Sequence, residues 1–134
     1  MIELELIIRL VISAALGALV GLERELTHRP AVLRTHMLVS VGACLFTIII
    51  FSSVVEMGRG SAVAGILTGI GFIGAGSIIA TRGHVQGLTT AASLWTVAAI
   101  GFATGTGDYI LALAAAIIVF IILQLRRVEK TIRK

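Results

Sequence analysis

The 134-residue chain is 57% hydrophobic and 13% charged, with a mean hydropathy of +1.06. Soluble domains carry about 25% charged residues, so this composition excludes an ordinary water-soluble fold, which needs a polar exterior. The length allows one helical domain, and the single cysteine, Cys44, excludes an internal disulfide.

Nearly all charged residues lie in short clusters that are separated by long apolar stretches. A helix needs about 20 apolar residues to cross the bilayer core, and a helix satisfies its own backbone hydrogen bonds in lipid. We therefore predict an all-α, polytopic transmembrane helical bundle with five spans. The predicted spans cover about 5–22, 37–55, 61–80, 88–105 and 109–125. The fourth segment is rich in small and hydroxyl residues, so a re-entrant or tilted helix is the alternative there.

The charges predict how the bundle is oriented. Residues 1–125 form the predicted five-helix transmembrane domain, and residues 126–134 form a short basic tail. Alternating loops place nine cations on one side of the membrane and only Arg59 on the other. Because basic loops stay in the cytoplasm, we expect the N-terminus outside and the C-terminus cytoplasmic, in a bacterial or archaeal plasma (inner) membrane. The net charge of +4 then reflects topology and contact with anionic lipid, and we expect no nucleic-acid partner.

Along the first predicted helix, one face combines an ion pair with small residues. Glu5 and Arg9 are four residues apart, and Ser13, Gly17 and Gly21 continue the same row. This spacing predicts that the row looks into the bundle. The alternative is that Arg9 extends outward to the membrane surface.

Two loops on the predicted cytoplasmic side carry the polar residues of most interest. Desolvation at the membrane boundary strengthens ion pairing, so the loop ends are candidates for a buried polar cluster. Solvated loop charges and a purely structural ion-pair cluster are the alternatives. Thr89 or Thr90 is also predicted to cap the fourth helix. The predicted cluster consists of Glu23, Arg24, Glu25, Arg34, Thr35, His36, Arg82, Thr89 and Thr90.

Glycines recur at helical spacing in three of the predicted spans. Gly69, Gly71 and Gly74 match the dinucleotide-binding pattern, but they lie inside an uncharged stretch with no following acidic residue, so we expect no nucleotide site. Small residues four apart instead let helix backbones approach closely in lipid. Five glycines in twelve residues predict that the third helix is surrounded on several sides, or alternatively that it is partly unwound and lines a cavity. The predicted helix-packing positions are Gly17, Gly21, Gly65, Gly69, Gly71, Gly74, Gly76, Gly101 and Gly105.

Catalytic and metal-binding chemistry have no candidate residues in this pattern. No Asp or Glu lies in the middle of a predicted span, and the three histidines lack metal-ligand spacing. No nucleophile has a positioned base. We therefore expect no catalytic residue, no metal site and no cofactor, and we do not expect an enzyme.

Three blocks together resemble the MgtC/SapB family of bacterial inner-membrane proteins. They are Gly-Leu-Glu-Arg-Glu (21–25) with Leu-Arg-Thr-His-Met-Leu-Val (33–39), Gly-Ile-Gly-Phe-Ile-Gly-Ala-Gly (69–76), and Gly-Leu-Thr-Thr-Ala-Ala-Ser-Leu-Trp (87–95). The resemblance implies a five-helix membrane domain, links to growth in low magnesium and, for some members, inhibition of the F-type ATP synthase. The chain departs from the family at Val32, often Gly, and at Gln86, often Arg. It resembles a short form that lacks the C-terminal soluble ACT-like domain of larger members.

These observations predict a protein of magnesium homeostasis or adaptation to low Mg²⁺. We expect it to act by helix-mediated association with itself, a dimer being favoured, or with another membrane complex such as the F-type ATP synthase. The alternative is a small oligomeric transporter or channel for Mg²⁺ or another ion. The glycine positions and the missing intramembrane acids favour association.

Overall fold

The computed structural model describes residues 1–29, 33–52 and 58–132, and its framework is helical. The predicted helical class is confirmed, and the described residues add a two-stranded hairpin and a short helix within the predicted C-terminal tail. The elements in chain order are α1 (Ile2–Leu26), α2 (Leu33–Ser52), α3 (Arg59–Gly76), β1 (Ile79–Thr81), β2 (His84–Gln86), α4 (Leu88–Thr106), α5 (Tyr109–Gln124) and α6 (Arg126–Ile132).

Helix length and composition identify the segments that are able to cross a membrane. α1, α2 and α4 are long and apolar enough to do so, and α5 is apolar but shorter, at 16 residues. The fourth segment is one continuous helix of 19 residues. The five-span arrangement and its orientation stay predictions.

The hairpin corrects the predicted end of the third helix. α3 stops at Gly76, and β1 pairs antiparallel with β2 so that Thr81 lies opposite His84. The two-residue turn between them is Arg82-Gly83, with φ angles of 38° and 84°. Two consecutive left-handed residues are what the tight hairpin turn requires. The sequence 77–86 therefore leaves the helix, although 60–81 contains no charge.

α4 is the centre of the bundle. It contacts α1, α2, α3 and α5, and nine of its residues are buried. Val97 and Ile100 of α4 pack with Leu16 and Val20 of α1 and with small residues of α5. A second, smaller apolar cluster joins α4 to α2 and α3. It consists of Ala43, Ile70 and Ala98.

Glycines of α1 and α4 lie directly against α2. A Cβ at Gly21 would come within 2.8 Å of the Leu33 Cα atom, and one at Gly17 within 2.9 Å of the His36 carbonyl oxygen. A Cβ at Gly101 would overlap the Ser40 carbonyl oxygen, and one at Gly105 would come within 2.8 Å of the Cys44 carbonyl oxygen. α2 is therefore held between two helices by contacts that leave no room for a side chain.

The glycines of α3 have different surroundings. A Cβ at Gly65, Gly69, Gly71 or Gly76 would meet no atom within 4 Å, and one at Gly74 would make ordinary contact with Ala91. Only Ile70 and Gly74 of α3 are buried. Thus the described residues do not surround α3 on several sides, and four of the predicted helix-packing glycines face outward.

Candidate functional site

Buried polar side chains form a row between α1, α2 and α4. Two of its threonines form hydrogen bonds within their own helices. Thr47 Oγ1 donates to the Ala43 carbonyl at 2.7 Å, and Thr104 Oγ1 donates to the Ile100 carbonyl at 2.8 Å. The Ser13 and Ser40 hydroxyls bond across helices at 2.8 Å. The buried polar residues are Ser13, Glu23, Arg24, His36, Ser40, Thr47, Thr90, Ser93 and Thr104.

One end of this row is a charged group that we name the Arg24 cluster, consisting of Glu23, Arg24, His36, Thr90 and Ser93. Arg24 Nη2 donates to Thr90 Oγ1 at 2.6 Å. Ser93 Oγ donates to the Thr90 carbonyl at 2.8 Å and lies 3.0 Å from His36 Nε2. The cluster thus joins the end of α1, the start of α2 and the first turns of α4.

The two charged members of the cluster are buried but incompletely satisfied. Glu23 is 2% exposed and Arg24 is 3% exposed. Glu23 Oε2 lies 4.0 Å from Arg24 Nη1, which is too far for a hydrogen bond. Glu23 Oε2 and Arg24 Nε are both buried without a hydrogen-bond partner among the described residues. Buried charges are costly unless they are paired and hydrogen-bonded, so this pair is held in place at an energetic cost.

The structure brings four of the nine predicted cluster residues together: Glu23, Arg24, His36 and Thr90. The other five lie outside this contact network. Thr35 is half-buried, and Glu25 is exposed, with its Oε2 accepting a long 3.4 Å bond from the Leu33 amide. The exposed remainder consists of Arg34, Arg82 and Thr89.

Helix geometry explains this division. Successive residues of an α-helix are about 100° apart, so a buried His36 directs Arg34, two residues earlier, to the opposite side. Arg34 is therefore not the partner of Glu23, and that position belongs to Arg24. The same rotation separates exposed Thr89 from buried Thr90. Arg82 lies at the tip of the hairpin, away from the helices.

The predicted cap of the fourth helix is wrong. Gly87, with φ 89°, is the N-cap residue, and no side chain caps the helix. A Cβ at Gly87 would overlap the Ser77 carbonyl oxygen, so only glycine fits this junction. Thr90 lies inside the first turn and contacts Arg24 instead. Sequence reasoning missed Ser93, although its position three residues after Thr90 places it on the same helix face.

At the other end of α1, Arg9 faces the bundle. Its Nη1 donates to the Gly105 carbonyl at 2.7 Å, and its Nη2 pairs with Glu5. Gly105 lies in the last turn of α4, where carbonyl groups lack helical partners and a cation is favourable. Arg9 thus joins α1 to the end of α4, as the inward-facing reading of its helix row predicted.

The donor set of the Arg24 cluster limits its chemistry. Within the described ranges, no three His, Cys, Asp or Glu residues lie close enough together to hold a metal ion. Glu23 is the one carboxylate of the cluster, and a guanidinium lies beside it. The arrangement provides buried charge and hydrogen-bond donors, and it offers no activated nucleophile.

Apolar helices of membrane-spanning length around a buried polar row define a helical membrane protein. A family model described as the MgtC family matches residues 10–131, and the chain belongs to this family. The resemblance found in the sequence is thereby confirmed. No solved structure matches the chain.

The curated relatives are similar to the chain over most of its length. "Putative magnesium transporter YhiD" of Escherichia coli strain K12 is 37% identical over 128 residues, covering 90% of this chain and 60% of YhiD. Protein MgtC of Salmonella typhimurium strain LT2 is 45% identical over 115 residues, which are 84% of this chain and 48% of MgtC. Protein MgtC of Brucella abortus strain 2308 is 47% identical over 109 residues, which are 80% of this chain and 44% of the relative. The chain therefore spans about half the length of these relatives.

Proposed function

We propose that this chain is a plasma-membrane protein of Mg²⁺ homeostasis that acts by helix-mediated association with itself or with another membrane complex. Its membership of the MgtC family and its similarity to YhiD support the role in Mg²⁺ handling. The open glycine face of α3 is the observation that favours association as the mechanism.

The glycines of α1 and α4 show how glycine is used in these helices. Gly17, Gly21, Gly101 and Gly105 each meet backbone atoms of α2 at distances that exclude a side chain. Gly65 and Gly69 of α3 have the same four-residue spacing, but a Cβ at either would meet no atom of the described residues within 4 Å. Each glycine costs a helix about 1 kcal/mol relative to alanine. A partner helix that uses the close approach would offset this cost.

A groove beside these glycines gives the partner a place to lie. It has a volume of about 700 Å³, runs between α2 and α3, and has an apolar lining. Small residues on both walls allow close approach of a helix, and larger apolar side chains complete the lining. The small and aromatic residues of the lining include Gly42, Ala43, Phe46, Ala62, Gly65 and Gly69.

The test compares leucine at two glycines of the same helix. Gly69 lines the groove, whereas Gly71 is equally open but lies outside the lining. We expect Gly69→Leu to reduce oligomer size in mild detergent and to impair growth in low Mg²⁺, and Gly71→Leu to leave both unchanged. Wild-type size and growth for both variants would exclude association through this face.

The Arg24 cluster favours a second candidate function, a small oligomeric transporter or channel. Ionisable residues inside a membrane bundle commonly mark ion paths, and Glu23 lies at one end of the buried polar row. The test is Mg²⁺ flux into liposomes that contain the purified protein. Saturable flux above that of empty vesicles, reduced by Glu23→Gln, would establish transport and displace association as the primary mechanism.

A further inference from the structure

The geometry points to a binding site for a phosphate group at the start of α4, beside Arg24. The phosphate belongs either to the headgroup of an anionic lipid or to free inorganic phosphate. This site is separate from the groove of α2 and α3, and it does not depend on the proposed association.

The first turn of α4 has the donors that such an anion needs. The helix has 19 residues, its N-cap is Gly87, and no side-chain oxygen caps it. The first amide with a helical acceptor is that of Ala91, which donates to the Gly87 carbonyl at 2.8 Å. The amides of residues 88–90 therefore have no helical acceptor and carry the positive end of the helix dipole. Leu88 and Thr89 are exposed, so this helix start is accessible.

Arg24 is the independent second feature. Its side chain is 3% exposed, and Nη2 is bound to Thr90 in the same first turn of α4. Its Nε is buried and has no hydrogen-bond partner in the part of the chain that the structure describes. Thr90 and Glu23 thus hold a guanidinium against the positive end of a helix, where its charge is not offset by the backbone.

Two further arginines add to the positive charge at this point. The Arg29 amide donates to the Arg24 carbonyl at 3.0 Å, and Arg126 begins α6. Both are near enough for their charges to repel that of Arg24. Among the described residues, neither Arg29 nor Arg126 forms an ion pair, and Glu23 is the one acid paired with Arg24. The charges that act on Arg24 therefore come from two further arginines and one carboxylate.

A phosphate group suits these donors better than a cation or a carboxylate ligand. Its several oxygens accept bonds from backbone amides and from arginine at the same time, which is the common mode at helix N-termini. The excess of arginine repels cations. Arg24 also lies in the last turn of a long apolar helix, which is the level where lipid phosphates are found.

The experiment measures the binding of two sources of phosphate, inorganic phosphate and a lipid headgroup, in parallel. In one arm, the detergent-purified protein is titrated with sodium phosphate, with sodium chloride at equal ionic strength as reference, and its thermal midpoint is followed. In the other arm, native mass spectrometry measures retained phosphatidylglycerol, with phosphatidylcholine as reference. The test variant is Arg29→Gln with Arg126→Gln, and the control of equal charge change is Arg34→Gln with Arg82→Gln, both of which are exposed.

We expect saturable binding in one arm, weakened about fivefold for each test arginine removed and nearly unchanged in the control. Saturation by phosphatidylglycerol alone identifies a lipid headgroup, and saturation by inorganic phosphate alone identifies a free anion. Binding in neither arm, or equal loss in test and control variants, would overturn the site. Because Arg29 and Arg126 are half-buried, the folding of the test variant is checked by comparing its far-ultraviolet circular dichroism with that of the wild type. The variant Arg29→Lys with Arg126→Lys, which keeps the charge, should retain most of the binding.

Discussion

Alanine substitutions at Gly101 and Gly71 should change the stability of the bundle in opposite directions. A Cβ at Gly101 would overlap the Ser40 carbonyl oxygen and would also lie 3.0 Å from the Ser40 Cα atom. Backbone atoms cannot rotate out of the way as a side chain can, so α2 and α4 must separate. That separation also strains the bond between His36 and Ser93, which joins α2 to α4.

The magnitude follows from three contributions. Overpacking costs about 1–3 kcal/mol, and a lost hydrogen bond costs about 1 kcal/mol. Alanine in place of glycine returns about 1 kcal/mol through helix propensity. We expect Gly101→Ala to lower the free energy of unfolding by about 1–3 kcal/mol. Gly71→Ala, where a Cβ meets no atom within 4 Å, should raise it by up to about 1 kcal/mol.

Denaturant-induced loss of helicity in mild detergent measures the free energy of unfolding of both variants under the same conditions. The reasoning would be refuted if Gly101→Ala proved as stable as the wild type while Gly71→Ala behaved as expected. In that case the close approach of α2 and α4 would not be a constraint on the sequence. Equal destabilisation by both variants would instead show that α3 is packed at Gly71.

Three further predictions concern the charges. In a double-mutant cycle, Glu23→Gln and Arg24→Gln should each lower the free energy of unfolding by about 3–5 kcal/mol, because either single change leaves one buried charge alone. The double variant should lose less than the sum of the two single losses. Strictly additive losses in unfolding measurements would contradict the pairing. Arg9→Met should cost about 1.5–3 kcal/mol, since it removes a charge-assisted bond to the Gly105 carbonyl, and unchanged denaturation would place Arg9 in solvent. For topology, a reporter fused after residue 134 should be active on the cytoplasmic side and one inserted within 56–60 on the outer side, and the same side for both would exclude five spans.

The helical framework was predictable from the sequence because hydropathy sets where helices form in lipid. The predicted fourth and fifth segments differ from α4 and α5 by one residue at one end. The hairpin was not predictable in the same way, because Ile78, Ile79 and Val85 are as apolar as the helix before them. What turns the chain there is the local backbone at Arg82 and Gly83, which hydropathy does not record.

The polar cluster was partly predictable, and helix phase explains the part that failed. Proximity to the membrane boundary identified Glu23, Arg24, His36 and Thr90, but it gave exposed Arg34 the same weight. Assigning the partner of Glu23 requires the rotation of α2 about its axis. That rotation is set by contacts with Gly17 and Gly21, which become known only in three dimensions.

Glycine spacing shows a similar limit. The pairs Gly17–Gly21 and Gly65–Gly69 have identical spacing, yet the first pair excludes any side chain and the second faces open space. Spacing indicates that a close approach is possible. Which helix supplies the approaching backbone depends on the arrangement of the whole bundle.

The unequal attachment of the helices determines where this molecule can change shape. α1 and α4 each contact the backbone of α2 closely, so displacing any one of these three helices opens voids along its length. α3 buries only Ile70 and Gly74 and is followed by the hairpin of β1 and β2, so it can shift while the other three stay together. A ligand or partner that distinguishes two positions of α3 needs little differential binding energy to redistribute them. We therefore expect hydrogen exchange in native conditions to be fastest in α3 among the long helices.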